Sequence, residues 1–162
     1  MSRFALLVAL LGTVACQHEA TDVAVDDAPK HDGIDRLGLA DANVLLNRAG
    51  SHEKKCPKRR GKAKSACVEQ HYYVFAVVAE DAKKVTTVSA WVTCADETKS
   101  LAECRKVVKA HEDDVTGTVV VRVGDEKKTM RTKSGWEKAI EDAEKKHNLK
   151  ARPRSPVIRL GG

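Results

Sequence analysis

Four side chains have the types and spacing of a metal site. His52 and Cys56 stand four residues apart, as do Cys67 and His71. Two Cys and two His can close a tetrahedral zinc site. The same cysteines have a second use. Cys56 and Cys67 are eleven residues apart, and Cys94 and Cys104 ten apart. Four cysteines allow three connectivities. The nearest-neighbour pairing, Cys56–Cys67 with Cys94–Cys104, is favoured. Each bridge would close a short loop, worth ~3 kcal/mol or less in the chain-entropy account. Zinc on His52, Cys56, Cys67 and His71 is the alternative. Lys54 to Lys64 holds seven bases and no acid, and that charge opposes a cation beside it.

Those bases are themselves the leading candidate site. Lys58, Arg59, Arg60, Lys62 and Lys64 lie between Cys56 and Cys67. A constrained loop dense in positive charge can hold anionic lipid headgroups, an acidic glycan or an acidic protein face. Stacking aromatics are not interleaved in it, which disfavours nucleic acid. The plainer interpretation is a solvated loop, or one balanced by acids elsewhere in the chain. Glu112, Asp113 and Asp114 cluster carboxylates before a predicted strand. They could serve a cation site or an acid/base pair, with His111 beside them. As acids of a solvated turn they would do neither. Tyr72 and Tyr73 are adjacent on a predicted strand and so face opposite sides, which suits core packing better than a stacking platform. Gly61-Lys62-Ala63-Lys64-Ser65 lacks the earlier glycine and the residue order of a phosphate loop. Nucleophile elbows, zincin helices, EF-hand loops and dinucleotide fingerprints are missing from the sequence. No catalytic residue is assigned, and the sequence leans away from an enzyme.

The fifth cysteine explains where the others are used. Arg3 is followed by the uncharged apolar run Phe4 to Leu11, then by Gly12, Thr13 and Ala15, and then Cys16. This is the layout of a secretory signal, too short to span a bilayer as a helix. With Cys directly after a small residue, Met1 to Cys16 resembles a bacterial lipoprotein precursor. Thr13 stands where that family usually has Leu. The resemblance implies cleavage before Cys16, a diacylglyceryl thioether on its sulfur and an acylated amine. It also implies a membrane-anchored place in the cell envelope, outside the cytoplasm. Ordinary secretion with cleavage after Ala15 is the alternative. If Cys16 carries lipid, four cysteines remain and can pair. Two or more acyl chains hold firmly, at ~0.8 kcal/mol per buried methylene. Residues 17 to 162 carry no resemblance to a known family.

The rest of the chain must position these groups. Without residues 1–15 it has 147 residues, enough for one domain that buries roughly two-thirds of its unfolded surface. Residues 16–34 read as the lipidated cysteine and an acidic tether. Gln17 to Asp35 holds six acids against Lys30, with Pro29 and Gly33 and no sustained period. Asp35 to Ala49 has Leu39, Ala42, Leu45, Leu46 and Ala49 at helical spacing before Gly50. His71 to Glu80 reads as a strand buried on both faces. Val85 to Cys94 reads as its antiparallel partner. Ser100 with Glu103, and Ser134 with Glu137, are capping boxes opening two further helices. Between them, Asp114 to Val123 alternates as a strand, with Val115, Gly117, Val119, Val121 and Val123 on one side. Lys127 to Thr132 returns as a more polar strand.

The order α-β-β-α-β-β-α predicts an α+β fold for residues 35–148. It would be a four-stranded, mainly antiparallel sheet with helices on one face, in a small disulfide-bonded domain. Ala79 to Lys84 echoes Val123 to Lys128, as an old ββα duplication or by chance. Residues 149–162, basic and with Pro153 and Pro156, would be an extended mobile tail. The sequence therefore points to a lipid-anchored, non-enzymatic binding domain contacting an anionic or protein partner. A small metal-dependent or hydrolytic enzyme using Glu112, Asp113, His111 or the His/Cys quartet is the alternative.

Overall fold

A computed structural model of the chain describes residues 19–56, 68–83, 85–95, 98, 100–124 and 133–161. Its strands are β1 (Thr21–Ala24), β2 (Arg36–Ala40), β3 (Ala42–Lys54), β4 (Gln70–Ala79), β5 (Thr87–Val88), β6 (Ala90–Thr93), β7 (Val115–Arg122), β8 (Lys150–Ala151) and β9 (Pro156–Arg159). The α-helices are α1 (Leu101–Ala110) and α2 (Gly135–His147), and a 3-10 helix covers Val25–Lys30. Seven strands form one mixed sheet in the order β1-β2-β7-β9-β6-β4-β3, and β5 and β8 form a small parallel pair.

This corrects the expected four-stranded antiparallel sheet with helices on one face. Three stretches taken for a helix, a tether and a tail all supply strands to the sheet. Asp35 to Ala49 is not helical: it contains β2 and the first half of β3. Its apolar residues fit a helical period only because the strand is irregular. Leu45 pairs with Ala76 and Ala49 with Phe75, so Leu46 to Arg48 bulge out of the ladder. The expected tether contains β1, paired in parallel with β2, and the 3-10 helix, whose Val25 and Ala28 are buried. The expected tail contains β9, which lies between β7 and β6 in the middle of the sheet. Pro156 opens that strand, a position where a missing N–H is tolerated. Val157, Ile158 and Leu160 are fully buried.

Covalent connectivity shows that the sheet curls on itself. β2 and β3 stand at the second and last places in the sheet order, yet Asp41 alone joins them. Two trans peptides reach no more than ~7 Å, so the two margins must meet. Asp41 makes the corner with φ +51°, in the left-handed region that Asp enters more readily than most residues. β2 and β3 thus act as one bent strand. With it counted once, the circuit is β2/β3–β4–β6–β9–β7. All neighbours are antiparallel except β6 and β9, and α1 sits between β6 and β7. This is the connectivity of a five-stranded Greek-key barrel of the OB type.

Two apolar cores follow from strand alternation. Leu37, Leu39, Val44, Phe75, Val77, Val92, Val115, Ile158 and Leu160 form one cluster with Val25 and Ala28 of the 3-10 helix and Cys104 and Val108 of α1. The intervening residues Val74, Ala76, Trp91 and Val157 form the other with Ala139, Ile140 and Ala143 of α2. Helices therefore cover both faces, which is why β4 reads as a nearly continuous apolar run. On β7 the predicted alternation holds to Val119. A register shift between Val119 and Val121 then moves Val121 and Val123 to the α2 side.

Several local expectations hold. β4 and β6 pair antiparallel. Ser100 Oγ accepts from the Glu103 amide, and Ser134 and Glu137 cap α2 reciprocally. Asn148 ends α2 in the left-handed conformation. The Cys94–Cys104 disulfide is formed, with Cα atoms 5.3 Å apart, and ties the end of β6 to α1. The expected Lys127–Thr132 strand lies outside the described residues, as do Lys84 and residues 125–128 of the Ala79–Lys84 and Val123–Lys128 echo.

α2 is bound to the margin of β3 by more than apolar contact. The Ser51 amide donates to Asp142 Oδ2 (2.9 Å) and Lys146 Nζ to the same oxygen (2.7 Å). Burial pushes the Asp142 carboxyl up. The Lys146 and Ser51 hydrogen bonds, with the charges of Lys146 and His147, outweigh it and hold the group below its usual value. A carboxyl depressed by folding adds stability above its unfolded pKa of ~3.9, lost as pH falls through the lower folded value. Asp142→Asn should therefore be less stable than the wild type near neutral pH, with the gap closing below about pH 4. Urea melts at pH 7 and pH 3 check this; an equal gap at both would contradict it.

Candidate functional site

The β3–β4 ladder continues past its neighbour. β6 pairs with β4 only at Phe75, Ala76 and Val77. β3 and β4 stay paired from Gly50↔Val74 out to Lys54↔Gln70. The result is a two-stranded arm, and the segment joining its strands carries Lys58, Arg59, Arg60, Lys62 and Lys64. These five residues and Cys67 lie outside the described residues, as do Cys16 and the signal-like run before it. Cys56, at the base of the segment, is disulfide-bonded.

Pairing register decides what the two histidines can do. His52 stands opposite Tyr72 and Glu53 opposite His71. Successive strand residues point to opposite faces, so His52 and His71 diverge. On one face His52 stacks on Tyr72, ring centroids 6.3 Å apart, and Tyr72 meets Trp136 edge-on at 5.1 Å. On the other, His71 lies parallel to Tyr73 at 6.2 Å, and Tyr73 packs against the barrel interior. Burial pushes the Tyr73 hydroxyl up, and the charges of Glu53 and Glu103 push it further. The proposed zinc quartet does not converge: its histidines face apart and Cys56 is committed to a disulfide. Among the described residues no three metal-ligating side chains come together. Tyr72 and Tyr73 divide between the two cores, as adjacent strand residues must.

The sequence did not single out the residues that fix the arm. Trp136 on the first turn of α2 sits between the Tyr72 ring and the Arg159 guanidinium, which lies 5.7 Å from its centroid. Gly135 makes room: a Cβ there would stand 2.1 Å from a Tyr72 ring carbon. Tyr72 Oη donates to Gln70 Oε1 (2.8 Å) on the same strand. The signal available was the aromatic residue two places after the Ser134 cap, on the face that α2 turns toward β4.

The acidic cluster lies elsewhere. Glu112 and Asp113 line a cleft of about 490 Å³ with Asp41, Glu80, Leu39, Val44 and Val115. All four carboxylates are exposed. Asp114 is turned into its own loop, accepting from Thr116 Oγ1 at 2.6 Å. His111 Nδ1 lies 2.9 Å from the Val107 carbonyl oxygen.

Asp26, Asp27 and Asp32 each have a partner among the described residues. Asp26 accepts from Ser89 Oγ (2.9 Å) and pairs with Arg152 at 3.7 Å. Asp32 pairs with Arg154. Asp27 is hydrogen-bonded by Lys30, and that contact lowers its carboxyl below the usual value. The acidic N-terminal stretch and the basic C-terminal stretch thus partner each other. No helix among the described residues is long and apolar enough to cross a membrane. No family model matches this chain, and no curated protein or solved structure matches it either.

Proposed function

We propose that this chain is a lipid-anchored protein of the bacterial cell envelope. In this reading its domain is a non-enzymatic binding module that contacts an anionic or acidic-protein partner through Lys58, Arg59, Arg60, Lys62 and Lys64. The observation that carries the binding role is topological. The basic segment joins β3 and β4, which are the first two strands of the barrel circuit. Barrels of this connectivity take ligands with that loop and with the outer face of the following strands. This is an argument from fold analogy. Here α2 covers that outer face with Ala139, Ile140 and Ala143, which leaves the loop. Covering the face also removes the stacking surface that oligonucleotides use, so nucleic acid stays disfavoured.

Two features support the envelope address: the signal-like run ending at Cys16, and disulfide bonding at Cys56, Cys94 and Cys104. Structural disulfides persist in oxidising compartments. The test removes the anchor and reverses the charge. In the full chain with Cys16→Ser, Lys58, Arg59 and Arg60 are changed to Glu. Cosedimentation with vesicles of phosphatidylethanolamine and phosphatidylglycerol (3:1) at low salt should fall by more than about tenfold, at ~1 kcal/mol per cation near an anionic surface. Unchanged cosedimentation would remove lipid from the candidates, and unchanged retention by whole envelopes as well would overturn the reading.

A further inference from the structure

The N-terminal segment is part of the barrel domain, and this changes how far a lipid on Cys16 could let the domain travel. β1 begins at Thr21, so only Gln17 to Ala20 separate it from Cys16. The stretch that composition marks as a spacer is held from several directions. Val23 lies in β1 beside β2, and Val25 and Ala28 are 1% and 0% exposed in the interior cluster. The Arg122 guanidinium donates to the carbonyl oxygens of Ala28 and His31. Asp26 is tied to Ser89 and Arg152, and Asp32 to Arg154.

From this placement we infer that the domain rests on the surface of the bilayer that anchors it. The phospholipid headgroup layer is then its direct neighbour. The inference depends on the lipidation of Cys16 proposed above. Five residue steps from Cys16 to Thr21 span at most ~17 Å, whereas a free tether from Cys16 to residue 34 could extend to about 60 Å. The shorter leash forbids the domain from reaching across the envelope to a distant layer.

The experiment uses the full-length acylated protein in bilayers of phosphatidylethanolamine and phosphatidylglycerol (3:1). Neutron reflectometry should place the inner edge of the protein layer within ~17 Å of the headgroups. Twenty Gly/Ser residues inserted after Gln17 should move it outward by about 25 Å. In nanodiscs of the same lipids, amides of Val23 to Ala28 should exchange about 100-fold or more slowly than an unstructured chain. An acylated protein whose layer lies beyond that reach, or whose Val23–Ala28 amides exchange freely, overturns the inference and leaves the anchor intact. A chain extracted without acyl mass overturns both.

Discussion

Replacing Gly50 by Ala is expected to lower stability by about 3 kcal/mol, at the upper end of the usual cost of overpacking. The melting temperature should fall by roughly 10 °C. Gly50 sits in β3 where α2 crosses it. A Cβ built there would stand 1.9 Å from the Ala139 carbonyl oxygen, 2.7 Å from the Ala143 nitrogen and 2.8 Å from the Ala143 Cβ. Two of these are backbone atoms of a helix and cannot rotate aside. The helix as a whole must retreat, and with it the packing of Ala139, Ile140 and Ala143 on Val74, Ala76 and Trp91. The hydrogen bond from Ser51 to Asp142 would stretch at the same time. Urea and thermal melts followed by circular dichroism check this. A change below about 0.5 kcal/mol, typical of a free surface site, would show that α2 does not pack on β3 as described.

Arg122→Met should cost about 3 kcal/mol, because a buried charged donor to three backbone carbonyls is removed. Arg122 is 8% exposed. Its Nη1 lies 3.3 Å from the Ala28 oxygen and 3.5 Å from that of Arg154, and its Nη2 donates to the His31 oxygen. It joins the end of the 3-10 helix to β7 and to the turn before β9. The loss should therefore be local as well as global. Amides of the Val25–Lys30 helix are expected to exchange about tenfold faster or more, whereas those of the β4 ladder lose only the protection set by the global change. A variant as stable as the wild type would mean that burying the guanidinium costs as much as its hydrogen bonds return.

How much was legible depended on whether a signal was local. Ser134, Glu137 and Asn148 mark α2 because caps satisfy backbone groups within one turn. The alternation of Val115, Gly117 and Val119 marks β7 for the same reason. The failures share a physical cause. Asp35 to Ala49 kept a helical spacing because its strand bulges after Leu45, and a bulge shifts a period of two. The stretches around Asp26 and Arg152 looked like solvated tails because each was read with its own charge alone. Their ion pairs, Asp26–Arg152 and Asp32–Arg154, join residues 126 and 122 positions apart, which no window along the chain can show. The closure of the barrel through Asp41 is also non-local. For the site, strand parity already separated Tyr72 from Tyr73. His52 and His71 lie on different strands, so separating them, and with them the zinc quartet, needed the register that pairs His52 with Tyr72.

The most direct test of the account is the intact mass of protein extracted from membranes, before and after reduction with alkylation. The account predicts a chain that begins at Cys16 and carries acyl mass. Four further thiols should become reactive only on reduction, including those of the Cys94–Cys104 bridge. An unlipidated chain with freely reactive thiols would contradict the anchor and the oxidising address together.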